Sequence, residues 1–222
     1  MAVNREQYNS ISAFLRERNV NLVAVSKTKP IADILALYGL GQRDFGENYV
    51  QELVQKQSQL PPDIRWHFIG HLQTNKVKQI APFVHLIHGV DSERLLFEIN
   101  KQGAKFNRVI NCLLQVYIAK EESKFGMDET ELSSIQPANY PHARIRGLMG
   151  MASFTLDQKI IRTEFNFLRL LFEKLKILPG FEADTLSMGM SADYEMAIEE
   201  GSNLVRIGSL IFGDRQSTQP AN

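Results

Sequence analysis

Lys27 closes the apolar run Leu22-Val23-Ala24-Val25 and is followed by Thr28, Lys29 and Pro30. A strand ending this way delivers its last side chain into a cavity mouth. An exposed lysine has a pKa near ~10.4, and both desolvation and a neighbouring cation such as Lys29 lower it. A neutral amine can attack an aldehyde and form a Schiff base. A lone lysine here is ordinarily a solvated strand end, so its meaning depends on its companions. Those lie late in the chain, in Ser187-Met188-Gly189-Met190-Ser191 and Arg206-Ile207-Gly208-Ser209. Glycine lets backbone N–H groups approach an anion, and the serines add hydroxyl donors. Taken singly, each loop is a tight turn with Ser191 as a helix cap. Asp193 would repel a phosphate unless its carboxylate points away.

What must position these groups is an alternation of short apolar runs with longer amphipathic stretches, the pattern of βα units on a parallel sheet. Eight strands are expected, at Asn21–Val25, Gln42–Phe45, Trp66–Ile69, Val84–His88, Val109–Ile118, Arg144–Met149, Ala183–Leu186 and Leu204–Ile207. The clearest helical stretches are Ile31–Leu40, Asn48–Gln57, Ser92–Lys101, Leu156–Lys176 and Ala192–Glu200, with Gly103, Gly180 and Gly201 as stops and Ser92 and Ser191 as N-caps. Eight such units close most simply as a single (β/α)8 barrel, a TIM barrel of the α/β class, with Tyr8–Leu15 as an additional N-terminal helix. An open doubly wound sheet is disfavoured, because Ser26-Lys27-Thr28-Lys29-Pro30 stands where its glycine-rich dinucleotide loop belongs. Closure makes the first and last strands neighbours, which brings Lys27 beside Arg206-Ile207-Gly208-Ser209. The loops after strands seven and eight are the usual phosphate site of such a barrel.

Composition narrows the partners. The chain of 222 residues carries 25 Lys and Arg against 25 Asp and Glu, so no global field draws nucleic acid or an anionic membrane. No apolar stretch approaches the roughly 18 residues of a membrane span, and the N-terminus lacks a signal core. Cys112, the only cysteine, reads as a small buried hydrophobe. A monomer in a reducing cytoplasm is the expectation. His85 and His88 have no carboxylate or cysteine nearby in sequence at a metal spacing, so no metal site is expected. Residues 216–222 read as a polar, frayed tail, and Asn75-Lys76-Val77-Lys78 as a solvated helix face.

An imine-forming lysine facing a phosphate cradle suits pyridoxal 5'-phosphate (PLP), with its aldehyde and phosphate at opposite edges. Arg206 would then face the pyridine nitrogen and favour an unprotonated ring, a weaker electron sink than a carboxylate would give; the other reading of Arg206 is a surface ion pair, the usual case for an isolated arginine. Asn48 and His67, at strand ends, are candidates for the ring face or hydroxyl side, with a satisfied core histidine as the other reading of His67. Met149, Met188 and Met190 pack around the mouth, and Met149 joins the expected cofactor-binding set of Lys27, Asn48, His67, Ser187, Ser191, Arg206, Gly208 and Ser209.

Val25-Ser26-Lys27-Thr28-Lys29-Pro30, Phe45-Gly46-Glu47-Asn48-Tyr49-Val50-Gln51-Glu52, Trp66-His67-Phe68-Ile69-Gly70, Leu72-Gln73-Thr74-Asn75-Lys76, Arg146-Gly147-Leu148-Met149, Leu186-Ser187-Met188-Gly189-Met190-Ser191 and Val205-Arg206-Ile207-Gly208 together resemble the pyridoxal-phosphate homeostasis protein family. The resemblance runs from about Leu22 to Gly213. It implies one domain over residues 1–222, shaped like the N-terminal barrel of alanine racemase, with PLP on the lysine matching Lys27. It also implies a role in vitamin B6 and amino-acid balance without established catalysis, with PLP-dependent enzymes or regulatory proteins as partners. Gly150-Met151-Ala152-Ser153-Phe154 departs from the proline-bearing stretch of many members. Racemases of this barrel type draw a second base from a further domain, and the chain ends soon after its eighth strand, so a carrier is expected over an enzyme. The competing readings are a PLP-dependent amino-acid racemase or decarboxylase, and a cofactor-free Schiff-base aldolase.

Overall fold

The computed structural model describes residues 3–119 and 126–213. Its strands are β1 (Asn21–Val25), β2 (Asp44–Glu47), β3 (Arg65–Phe68), β4 (Leu86–Val90), β5 (Ile110–Gln115), β6 (Ala143–Met149), β7 (Thr185–Ser187) and β8 (Leu204–Ile207). They pair in chain order, all parallel, and β8 returns to β1 to close a barrel. The helices are α1 (Arg5–Glu17), α2 (Ile31–Gly39), α3 (Val50–Gln57), α4 (Val77–Ile80), α5 (Glu93–Lys105), α6 (Glu129–Ser134), α7 (Gln158–Lys176), α8 (Tyr194–Glu199) and α9 (Ser209–Phe212). The expected TIM barrel with an extra leading helix is therefore the observed fold. Among the described residues no helix is long and apolar enough to cross a membrane.

Local sequence explains the ring of helices. In α7 the buried residues Ile161, Phe165, Leu168, Phe172 and Leu175 recur at spacings of three and four, an apolar stripe against the barrel. The Asn4 side chain accepts from the Gln7 N–H to start α1, and the Ser92 hydroxyl accepts from the Leu95 N–H to start α5. Inside the barrel, Val23, Leu86, Leu113, Met149 and Leu204 form a cluster separate from the main core between strands and helices. Gly46 leaves the gap they need, since a Cβ there would lie 2.8 Å from Val23 Cγ1. Cys112 is buried as expected, and burial pushes its thiol up to about 12.

Some punctuation differs from expectation. Gly103 does not stop a helix: it lies within α5, where a Cβ would sit 2.5 Å from the His142 carbonyl oxygen, so its role is close packing. Asn107, at φ 49, supplies the left-handed turn beyond the helix end. Ser191 caps nothing; its hydroxyl accepts from the Gly208 N–H at 3.3 Å, and α8 begins three residues later. The short helices α6 and α9 fall where no periodic pattern could announce them. Around α4 the expected solvated face holds for Asn75 and Lys78, which are exposed, and not for Val77, which is fully buried. The expected polar tail at 216–222 lies outside the described residues.

Candidate functional site

The C-terminal ends of the strands surround a cavity of about 1110 Å³. Lys27, Asn48, Ser191, Arg206, Gly208 and Ser209 line it together, with Lys29 and Asp193. The parallel register explains the meeting: Val23 pairs with Arg206 and Ala24 with Ile207, so the residues after β1 and β8 emerge side by side. Gly208 approaches Val25 closely, and a Cβ there would lie 3.2 Å from both the Val25 Cβ and its carbonyl oxygen. The Asn48 Oδ1 is buried with no hydrogen-bond partner among the described residues, a cost of about 1–3 kcal/mol unless something in the cavity donates to it. The Asp193 Oδ1 accepts from the Met190 N–H at 2.6 Å, which ties part of that carboxylate to its own loop. Met151 to Leu156, following β6, form one wall; the Glu164 carboxylate anchors it by accepting from the Ser153 N–H and hydroxyl, both at 2.7 Å.

The turn that carries Lys27 is clamped from below. Ser26 is fully buried; its N–H donates to the Gly46 carbonyl and its hydroxyl donates to Glu47 Oε1 at 2.6 Å. Lys56 reaches in from α3, and its ammonium donates to the Ser26 carbonyl, Glu47 Oε1 and Glu52 Oε1 at 2.8, 2.8 and 2.7 Å. Glu52 Oε1 also accepts from the Thr28 N–H at 2.6 Å. Thr28 is held at φ 63, a conformation a β-branched residue adopts only when its surroundings impose it. Lys29 Nζ donates to the carbonyls of Phe212 and Gly213 at 3.0 and 2.9 Å, fastening the turn to the end of α9. Burial raises the Glu47 pKa, while Lys56 and Ser26 oppose the shift without cancelling it. Glu47, Glu52 and Lys56 carry no motif that marks this role in the sequence. Their available signal was the i,i+4 pairing of Glu52 with Lys56 on a helix starting just beyond Glu47.

Arg206 is buried in the barrel wall of this cavity. Its Nη1 donates to the Ser187 carbonyl and hydroxyl oxygens at 3.0 and 2.6 Å, and its Nη2 donates to the Gly150 carbonyl at 3.1 Å. Burial lowers its pKa to about 10, so it remains a cation at neutral pH. Ser187 stands behind Arg206 and does not line the cavity; Met149 belongs to the apolar cluster within the barrel.

His67 lies elsewhere. It lines a smaller cavity of about 190 Å³ at the opposite end, among the residues that begin the strands: Asn21, Asp44, Arg65, Thr185 and Leu204. Its Nε2 is 3.0 Å from Asp44 Oδ1 and its Nδ1 is 2.9 Å from His88 Nε2, while His88 Nδ1 is 3.1 Å from Ser187 Oγ. A chain of polar contacts therefore runs through the barrel from Asp44 to Arg206. Burial alone would raise the Asp44 pKa, yet hydrogen bonds from Arg65 and His67 outweigh it and hold the carboxyl well below its ordinary range. His88 is fully buried and its pKa is pushed well down.

Comparison with known proteins agrees with this architecture. Residues 4–216 match the family described as alanine racemase, N-terminal domain. The pyridoxal phosphate homeostasis protein of Pasteurella multocida is 42% identical over 207 residues, covering 90% of this chain and 88% of the relative. The human protein of that name is 42% identical over 209 residues, covering 87% and 76% respectively. PipY of Synechococcus elongatus, solved with PLP bound, superposes with a TM-score of 0.86 at 34% identity, covering 94% of this chain and 99% of that one. Alanine racemase from Streptomyces coelicolor shares the fold at 16% identity, with a TM-score of 0.73 over 90% of this chain and 56% of its own. Given identities near 40% along most of its length and a barrel that superposes on PipY, the chain belongs to the pyridoxal phosphate homeostasis protein family.

Proposed function

We propose that this chain binds PLP in the large cavity, holds it through Lys27, and serves vitamin B6 and amino-acid homeostasis as a carrier with no dedicated catalytic reaction. The observation that carries the reading is the convergence of Lys27, Arg206, Ser191, Gly208 and Ser209 on one cavity, in a chain whose relative PipY was solved with PLP bound. The donor set fits the group: an amine, a guanidinium, two hydroxyls, a close glycine turn, and a buried Asn48 oxygen awaiting a donor. PLP supplies an aldehyde that an amine captures with loss of one water, together with a ring that can accept electrons.

The chain's own residues divide the work. The clamp of Glu47, Lys56 and Glu52 fixes the turn and so presents the Lys27 amine toward the cavity. Ser191, Ser209 and the backbone N–H groups near Gly208 donate to the phosphate. Arg206, fixed by Ser187 and Gly150, directs a permanent donor at the ring nitrogen and disfavours its protonation. Among the described residues Asp193 is the carboxylate in the cavity lining, and its tie to the Met190 N–H leaves it poorly disposed as a general base. His67, Met149 and Ser187 fall out of the direct contact set; Ser187 acts by orienting Arg206. The chain works as one barrel domain and as a monomer.

The test is chemical. Borohydride treatment of the yellow protein should fix the chromophore to Lys27, located by peptide mass spectrometry, and Lys27→Ala should be colourless with an unchanged circular dichroism spectrum. Reduced cofactor mapped to Lys29 would overturn the assignment. Amino-acid turnover that scales with protein and vanishes in Lys27→Ala would overturn the carrier reading in favour of an enzyme.

A further inference from the structure

At the end of the barrel opposite the PLP cavity, Asp44, His67 and His85 each offer a ligand atom, and all three atoms lie within 4.8 Å of one another. We propose that these residues form a binding site for a divalent transition metal, zinc in the first instance, with the fourth position open to the small cavity.

The donor types are those zinc takes, two imidazole nitrogens and a carboxylate oxygen. Bonds of about 2.0–2.1 Å in a tetrahedron put neighbouring ligand atoms roughly 3.3 Å apart. Asp44 Oδ1 and His67 Nε2 are already at 3.0 Å and need to open by only a few tenths of an ångström. His85 is exposed at the rim, where its ring can swing inward; it lies 5.3 Å from the His67 ring, centroid to centroid. The scaffold is rigid, because Asp44 opens β2, His67 lies in β3 and His85 immediately precedes β4 on three adjacent strands.

The surroundings complete the site. Arg65 grips Asp44 with both arms of its guanidinium, Nη2 donating to Oδ2 and Nε to Oδ1 at 2.7 Å, so the cation would take the lone pair of Oδ1 that now faces His67 Nε2. Arg146, also at the cavity, is neutralised by Asp184, whose Oδ1 accepts from Arg146 Nε at 2.9 Å. His88 supplies the outer partner that a ligating histidine requires, 2.9 Å from His67 Nδ1. The roof of the cavity, about 190 Å³ in volume, leaves room for a water or a small anion on the metal.

Metal binding also fixes tautomers. With one proton on each ring and no metal, the Asp44 carboxylate calls for the His67 proton on Nε2; Nδ1 then accepts from His88 Nε2, and His88 Nδ1 accepts from the Ser187 hydroxyl. With metal on His67 Nε2, both rings carry their proton on Nδ1, and Ser187 Oγ accepts from His88 as well as from Arg206. Each ring keeps one proton, so the pair gains and loses none.

The experiment titrates cobalt(II), then competing zinc, into the untagged full-length protein, with Lys27→Ala run alongside to exclude chelation by PLP. Tetrahedral cobalt absorption at one ion per chain, equal in Lys27→Ala and weakened more than about 100-fold in His85→Ala, is the expected result, since losing a ligand should exceed the effect of losing an outer partner. Zinc should move the His67 and His88 protons from Nε2 to Nδ1 in side-chain nitrogen NMR. Absence of such absorption at submillimolar cobalt, binding that His85→Ala leaves unchanged, or a His67 Nε2 still protonated with zinc present would each overturn the proposal. Loss of binding in Lys27→Ala alone would instead assign the metal to the cofactor cavity.

Discussion

Replacing Lys56 by Met should destabilise the barrel more than any surface substitution, because the ammonium is the counter-charge of a carboxylate that water cannot reach. The Lys56 side chain is 7% exposed and that of Glu47 is 0% exposed. Without Lys56, Glu47 keeps the Ser26 hydroxyl as its hydrogen-bond partner on Oε1, while Oε2 already lacks one among the described residues. Breaking a buried pair from one side costs about 3–5 kcal/mol. For a chain of this size that corresponds to a fall in Tm of about 6–20 °C at neutral pH. The Glu47 pKa is raised in the folded protein by burial, so protonation becomes easier on folding. Stability linked to such a group is fully present below the unfolded pKa and lost as pH rises through the folded one. The deficit of Lys56→Met against the wild type should therefore shrink as pH falls through the folded pKa, where the lone carboxyl becomes neutral. Thermal melts followed by circular dichroism from neutral pH downward into the acid range supply the measurement. Adding Glu47→Gln to Lys56→Met should recover most of the loss. A fall of less than about 2 °C, or a deficit that does not change with pH, would refute the reasoning.

Gly208→Val should weaken PLP retention at least about tenfold without unfolding the chain, because its Cβ would press the Val25 Cβ and carbonyl oxygen at 3.2 Å and its branches would crowd the anion approach; unchanged affinity in a folded variant would move the phosphate elsewhere. Arg206→Ala should weaken binding and Arg206→Glu should favour ring protonation, and nitrogen NMR of labelled PLP on the wild-type protein should find the ring unprotonated, a clear pyridinium being the result that rejects the arginine's proposed role.

Part of the site was legible residue by residue. Lys27 could be read at a strand end because β1 and β8 are short β-branched runs whose limits follow from local pattern, and both were found at their expected bounds. β2 slipped from Gln42–Phe45 to Asp44–Glu47. Charged residues at both ends of that segment argue against a buried strand until their partners, Arg65, His67 and Lys56, are known. The same ignorance of partners hid the Asp44–His67–His85 group: around His85 and His88 no carboxylate stood at a recognisable metal spacing, and the carboxylate of the group comes from β2.

The sequence by itself determined the eight alternating units, the closure that joins β1 to β8, and the family, because hydrophobic periodicity, strand ends and contiguous motifs are local properties. Height along the barrel axis was decided only by the tertiary structure. His67 faces the small cavity and not the large one, Met149 sinks into the interior, and Ser187 stands behind Arg206, since strand tilt and stagger set which layer an inward side chain joins. The register shifts between β4 and β5 at Ile87/Val90 and between β5 and β6 at Cys112/Leu113 move those layers further. Such offsets arise from pairing between distant segments, and no single strand encodes them.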